Sequence, residues 1–111
     1  MPTLKSLAPE LVSQLSEALA QERRYALAEQ LDRAAILRWT FGNDDDVGYV
    51  YLVRENNSAL DSGLSAPVAE TISFYMEHGL NVDVDHYGQL FGVEYVGRPD
   101  IAKTLKGFKS P

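Results

Sequence analysis

Residues 80–96 are LNVDVDHYGQLFGVEYV, two alternating runs around a short polar break. Leu80, Val82 and Val84 alternate with Asn81, Asp83 and Asp85, and Phe91, Val93 and Tyr95 alternate with Leu90, Gly92 and Glu94. A period of two places successive side chains on opposite faces of a strand. His86-Tyr87-Gly88-Gln89 between the two runs reads as a turn. An even-length loop then pairs Val84 with Phe91, Val82 with Val93 and Leu80 with Tyr95, so every inward residue faces an inward residue. A slip by one would set Phe91 against Asp83, and the pattern itself therefore selects the register.

The same stretch carries the spacing of a helix–loop–helix calcium site, with Asp83, Asp85, Gly88 and Glu94 at ligand or turn positions. Tyr87 stands where an oxygen ligand belongs, and both flanks alternate with period two instead of three to four. The calcium-loop reading is set aside on that ground. A different metal site stays open: Asp46, Asp83, Asp85 and Glu94 form a carboxylate set, with Asp83 and Glu94 expected on one face of adjacent strands. Such diagonal neighbours lie about 5–8 Å apart, close enough to share a hard cation or a proton. The competing reading is a solvated polar face.

Working outward, Gly48–Val53 (GYVYLV) is apolar or aromatic on both faces, as a central strand would be. Leu37, Trp39 and Phe41 alternate with Arg38 and Thr40 and predict a half-buried strand. A third strand is expected over 68–76, with Ile72, Phe74 and Met76 on one face. Asn43–Asp46 reads as a turn and 54–67 (RENNSALDSGLSAP) as a long polar loop. Upstream, Leu11, Leu15, Ala18 and Leu19 fall on one helical stripe after Pro9 and Glu10, and Leu27 and Leu31 on another. Two helices over 9–21 and 25–31 with a bend at Arg23-Arg24 follow, one continuous helix being the alternative. Pro99-Asp100 opens a short helix whose Lys103 and Lys106 suit its C-terminal half and whose Gly107 suits its cap.

The expected fold is α+β: one domain over 1–111, in which an N-terminal helical pair (1–35) packs on a five-stranded, mostly antiparallel β-meander (36–97), followed by a short helix and tail (98–111). If Val50 and Leu52 point inward, Tyr49, Tyr51 and Val53 share the outward face, with Leu90 and Val96 also outward. Water does not favour such a patch, so these five residues are the expected interface, most simply of a homodimer.

Residues 41–52, FGNDDDVGYVYL, resemble the opening hairpin of a small bacterial family called domain of unknown function 2283. Residues 80–96 resemble that family's second signature, an apolar-Val-Asp-x-Asp run followed by Gly, two apolar residues and Gly-Ile-Glu. Asp46, Tyr49, Leu52, Thr71, Asp83, Asp85, Gly88, Gly92 and Glu94 match position by position, and the resemblance spans about 36–97. Gly42 and Tyr87 depart from it. The resemblance implies a compact antiparallel sheet domain without known activity. Some family members lie beside genes for small toxin-like proteins, which implies an antitoxin-like role.

The chain has 111 residues, a net charge of −6 and no Cys. Residues 41–100 hold eleven acids against Arg54 and Arg98. An acidic body repels phosphate backbones, so nucleic acid is not the expected partner; a basic protein surface would be attracted, and the competing reading is that the charge only keeps the protein soluble. No apolar run is long enough for a membrane span, no export signal is read, and the absence of Cys fits a reducing, cytoplasmic setting. His78 and His86 lie at opposite ends of the fourth strand and lack a third ligand for zinc. With no phosphate loop, nucleophile elbow or dinucleotide fingerprint, no cofactor is expected. The chain reads as a non-enzymatic protein-interaction module. The alternative is a small metal-binding protein or hydrolase using the carboxylate set.

Overall fold

Helix-forming stripes and alternating runs sort the chain into two layers. The computed structural model describes residues 2–42, 46–55 and 66–108. Residues 43–45 of the expected 43–46 turn and most of the expected 54–67 loop lie outside them. The described helices are α1 (Leu4–Leu7), α2 (Pro9–Gln21), α3 (Tyr25–Arg33), α4 (Tyr75–His78) and α5 (Pro99–Lys106). The strands are β1 (Ile36–Phe41), β2 (Gly48–Leu52), β3 (Val68–Phe74), β4 (Leu80–Asp85) and β5 (Leu90–Tyr95). The fold is α+β with a five-stranded antiparallel sheet.

The helices form where the stripes predict. Pro9 occupies the first turn of α2, where its missing N–H costs nothing, and Leu11, Val12, Leu15, Ala18 and Leu19 are buried. The bend falls at Arg23, whose φ of 60° is left-handed, and the Arg24 N–H closes the end of α2 on the Leu19 carbonyl at 2.8 Å. The new phase buries Leu27 and Leu31, and α3 runs two residues past its expected end. One helix carries no apolar stripe long enough to announce it: α1 is a single turn whose N-cap is Thr3, with its Oγ1 accepting from the Ser6 N–H at 3.1 Å.

The strand order is β1-β2-β5-β4-β3. Neighbours in sequence are neighbours in space within the β1-β2 hairpin and within the β3-β4-β5 meander. The two units join where β2 pairs antiparallel with β5, so the step from β2 to β3 leads from inside the sheet to its far edge. Alternation alone does not specify which strands become neighbours.

The hairpin of β4 and β5 pairs Leu80 with Tyr95 and Val82 with Val93, as the pattern requires. Beyond Asp83 and Gly92 the register shifts, and Val84 faces Leu90 rather than Phe91. Phe91 is the extra residue of a bulge. Leu90 therefore turns into the core at 4% exposure, while Phe91 moves to the other face. A second correction concerns β1, where a shift between Ile36 and Arg38 puts Ile36 and Trp39 inside and leaves Leu37 and Phe41 exposed. A third concerns β3, which ends at Phe74. Tyr75–His78 coils into α4, Gly79 closes the turn at φ 64°, and Met76 stands in solvent at 87% exposure. A Cβ at Gly79 would strike the Val96 carbonyl oxygen, so both its φ and its packing demand glycine.

One core cluster joins the two layers, taking Leu15, Leu19 and Leu31 from the helices, Val50, Val82, Val93 and Tyr95 from the strands, and Ile101 and Leu105 from α5. Two polar side chains dock the layers. Arg98 donates to the His78 carbonyl at 2.8 Å, to Gln14 Oε1 at 3.1 Å and to both oxygens of Asp100 at 3.0 and 2.9 Å. It thereby ties α2, the end of α4 and the start of α5, and holds the Asp100 carboxyl below its usual range. Gln30 acts as a one-residue strand: its Nε2 donates to the Gly88 carbonyl and its Oε1 accepts from the Leu90 N–H, both at 3.0 Å. That satisfies the Gly88 carbonyl and the Leu90 N–H on either side of Gln89.

Gln30→Ala strands both groups and is expected to cost about 1–2 kcal/mol in urea unfolding. Gln21→Ala, at the exposed end of α2, should stay within about 0.5 kcal/mol. Equal effects would deny Gln30 this bracing role.

Candidate functional site

Since the inward residues of every strand meet the helices, the outward residues form a second surface, which no described element covers. The register arranges it in two rows. One runs Thr40, Tyr49, Glu94, Asn81, Ser73; the other runs Arg38, Tyr51, Gly92, Asp83, Thr71. Every predicted carboxylate or aromatic on this surface takes its position from these rows.

Gly92 makes the arrangement possible. A Cβ there would overlap the Tyr49 ring, so Tyr49 lies across the bare backbone of β5. From that position its hydroxyl donates to Asp83 Oδ2 at 2.6 Å. Thr71 Oγ1 donates to Asp83 Oδ1, also at 2.6 Å. Short bonds to a carboxylate are charge-assisted and strong. Glu94 accepts from Asn81 Nδ2 at 2.8 Å. The Tyr49 phenol is held well above its usual range, first by burial and then by its bond to Asp83.

Beside this polar group stands an aromatic pile. The Tyr49 and Tyr51 rings are 4.6 Å apart, and Phe91 meets Tyr51 edge-on at 6.0 Å. The Arg38 guanidinium lies 3.9 Å over the Tyr51 ring, and that of Arg54 lies 4.7 Å over Phe91. Arg54 also donates to Asp85 Oδ2 at 3.1 Å, and both side chains are almost fully buried. Asp85 Oδ1 accepts from the N–H groups of Tyr87 and Gln89 at 2.8 and 2.9 Å, which makes Asp85 the organiser of the β4–β5 turn.

The carboxylate set is thus divided among separate tasks. Asp83 is held by two hydroxyls, Asp85 by Arg54 and the turn, and Glu94 by Asn81. Asp46 sits at the other hairpin, where its carbonyl accepts from the Arg98 N–H at 3.0 Å. Among the described residues no three His, Cys, Asp or Glu side chains converge to hold a metal ion. The open grooves of about 410 Å³ at Gln30, Arg33 and Gln89 and about 630 Å³ at Gln14, His78 and Arg98 exclude Asp83 and Glu94. His86 Nε2 lies 3.1 Å from the Ala66 carbonyl.

Of the five expected interface residues, Tyr49 and Tyr51 are half-buried on the open face and Val53 is 42% exposed just past β2. Val96 is half-buried beyond β5, with its N–H on the Gly79 carbonyl. Leu90 is corrected out of the set, because the bulge turns it into the core. Sequence reading overlooked Arg38, Arg54, Asn81 and Phe91. Arg38 and Asn81 were findable from the alternation, which sets them outward. Arg54–Asp85 joins residues far apart in the chain and has no local signal.

Tyr49→Phe removes one of the two donors to Asp83 and is expected to cost about 1 kcal/mol at neutral pH. The folded phenol keeps its proton while the unfolded one ionises near pH 10. This contribution is therefore full below about pH 10 and declines above it. Urea unfolding of both proteins from pH 7 to 11 should show the gap narrowing above about pH 10. A gap that widens there would reverse the assignment.

No family model, curated protein or solved structure matches this chain.

Proposed function

We propose that this domain is a non-enzymatic protein-interaction module that binds through the outward face of its sheet to a protein surface carrying cations. The observation that supports this most is the Arg38–Tyr51–Tyr49 pile on the outward face, its rings half-buried and its guanidinium exposed, beside Asp83 and Glu94. Tyr and Arg are the residue types that concentrate binding energy at interfaces. The Tyr49 ring is braced by Gly92 and by the bond to Asp83, so it needs little further ordering on contact. Asp83 and Glu94 accept only neutral donors among the described residues, and each carboxylate retains capacity for a cation from outside. The antitoxin-like role implied by the sequence resemblance is one biological form of such a module.

The test is comparative capture from the host lysate. The immobilised wild type and Glu29→Lys, changed on the exposed surface of α3, should retain the same protein, whether a foreign chain or added copies of this one. Tyr51→Ser, folded by circular dichroism, should lose it. Equal retention by Tyr51→Ser would remove the sheet face from the account.

A further inference from the structure

The outward rows are close to self-complementary, and we infer that the sheet face docks on the same face of a second copy. This rests on the reading of the face as a protein-binding surface and names its occupant. In the row Arg38, Tyr51, Gly92, Asp83, Thr71, the first four residues belong to β1, β2, β5 and β4. A twofold axis parallel to the strands and midway between β2 and β5 exchanges β1 with β4 and β2 with β5. It sets Arg38 of one copy over Asp83 of the other, twice. It also sets each Tyr51 over the Gly92 of the other copy, where the Tyr49 ring lies. In the adjoining row it sets Thr40 over Asn81.

The charges support this partner. Among the described residues Arg38 has no carboxylate partner and rests only on the Tyr51 ring. Asp83 has two hydroxyl donors and no cation. Each therefore lacks what the other copy presents in the same row. An isologous contact uses every residue twice, so one Arg–Asp pairing per copy yields two per dimer. Face-to-face sheets pack about 10 Å apart with strands offset by about 30°, a separation that Tyr and Arg side chains span from both sides. The axis leaves β3 outside the central overlap, in keeping with Thr71 and Ser73, which are small and polar.

The test is a charge exchange read by light scattering on size-exclusion fractions. The wild type should elute as a dimer, and Arg38→Asp, an exposed change on an edge strand, should weaken association by about a hundredfold while keeping the circular dichroism of the wild type. Asp83→Lys alone should also be monomeric. An equimolar mixture of the two variants should dimerise, because every repulsive contact becomes attractive in the mixed pair. If Asp83→Lys unfolds, Asp83→Asn replaces it, and should weaken self-association while keeping an acceptor for Tyr49. A wild type that stays monomeric at the highest concentration overturns self-docking, as does an Arg38→Asp protein that dimerises like the wild type. Neither result touches the broader reading, which the Tyr51→Ser capture decides separately.

Discussion

The pairing of β4 with β5, with one residue too many on β5, is the constraint from which the two faces of the sheet follow. Leu80–Tyr95 and Val82–Val93 place four fully buried strand residues under the helices. The bulge at Phe91 then changes the phase, so that Leu90 fills the core while Phe91 joins Tyr51 outside. Without it, β5 would carry either a polar residue inward or a phenylalanine in the place of Leu90. Gln30 reinforces the phase change by bonding the backbone on both sides of Gln89. The helix layer therefore reads the position of the bulge as well as covering the sheet.

The open face is built at a cost. Gly92 weakens a central strand, since glycine loses more backbone entropy than other residues and contributes no side chain. The gap is filled by Tyr49, whose ring covers it and whose hydroxyl reaches Asp83. Arg54 and Asp85 show the same trade, because removing both charges from water is unfavourable unless geometry and further hydrogen bonds offset it. Asp85 has those bonds from two turn amides. These are arrangements of a stiff surface whose carboxylates are occupied one by one, rather than of a converging ligand set.

Much of this was legible in the residues. The bend at Arg23-Arg24 follows from the phase shift between Leu15 and Leu27, and the β4–β5 hairpin from strict alternation at 80–85. The orientation of Leu90 was not legible, because Leu90 and Phe91 are both apolar and either satisfies an inward position. The same ambiguity hid the shift between Ile36 and Arg38. Met76 extends the apolar phase of β3, but the chain leaves the sheet at Phe74 and closes α4 on Gly79. Neighbour choice, which sets β2 beside β5, depends on packing between distant segments and leaves no mark in any one of them. At the face, Tyr49, Tyr51 and Asp83 were visible from alternation, whereas Gly92 as the seat of Tyr49 needed the structure.

The bulge is tested most directly by nuclear Overhauser contacts across the β4–β5 hairpin. Backbone contacts between Val84 and Leu90, Leu90 methyl contacts with helix side chains of the core, and Phe91 ring contacts with Tyr51 are expected. Contacts of the Phe91 ring with the helix layer and of the Leu90 methyls with Tyr51 would contradict the bulge, and with it the open aromatic face.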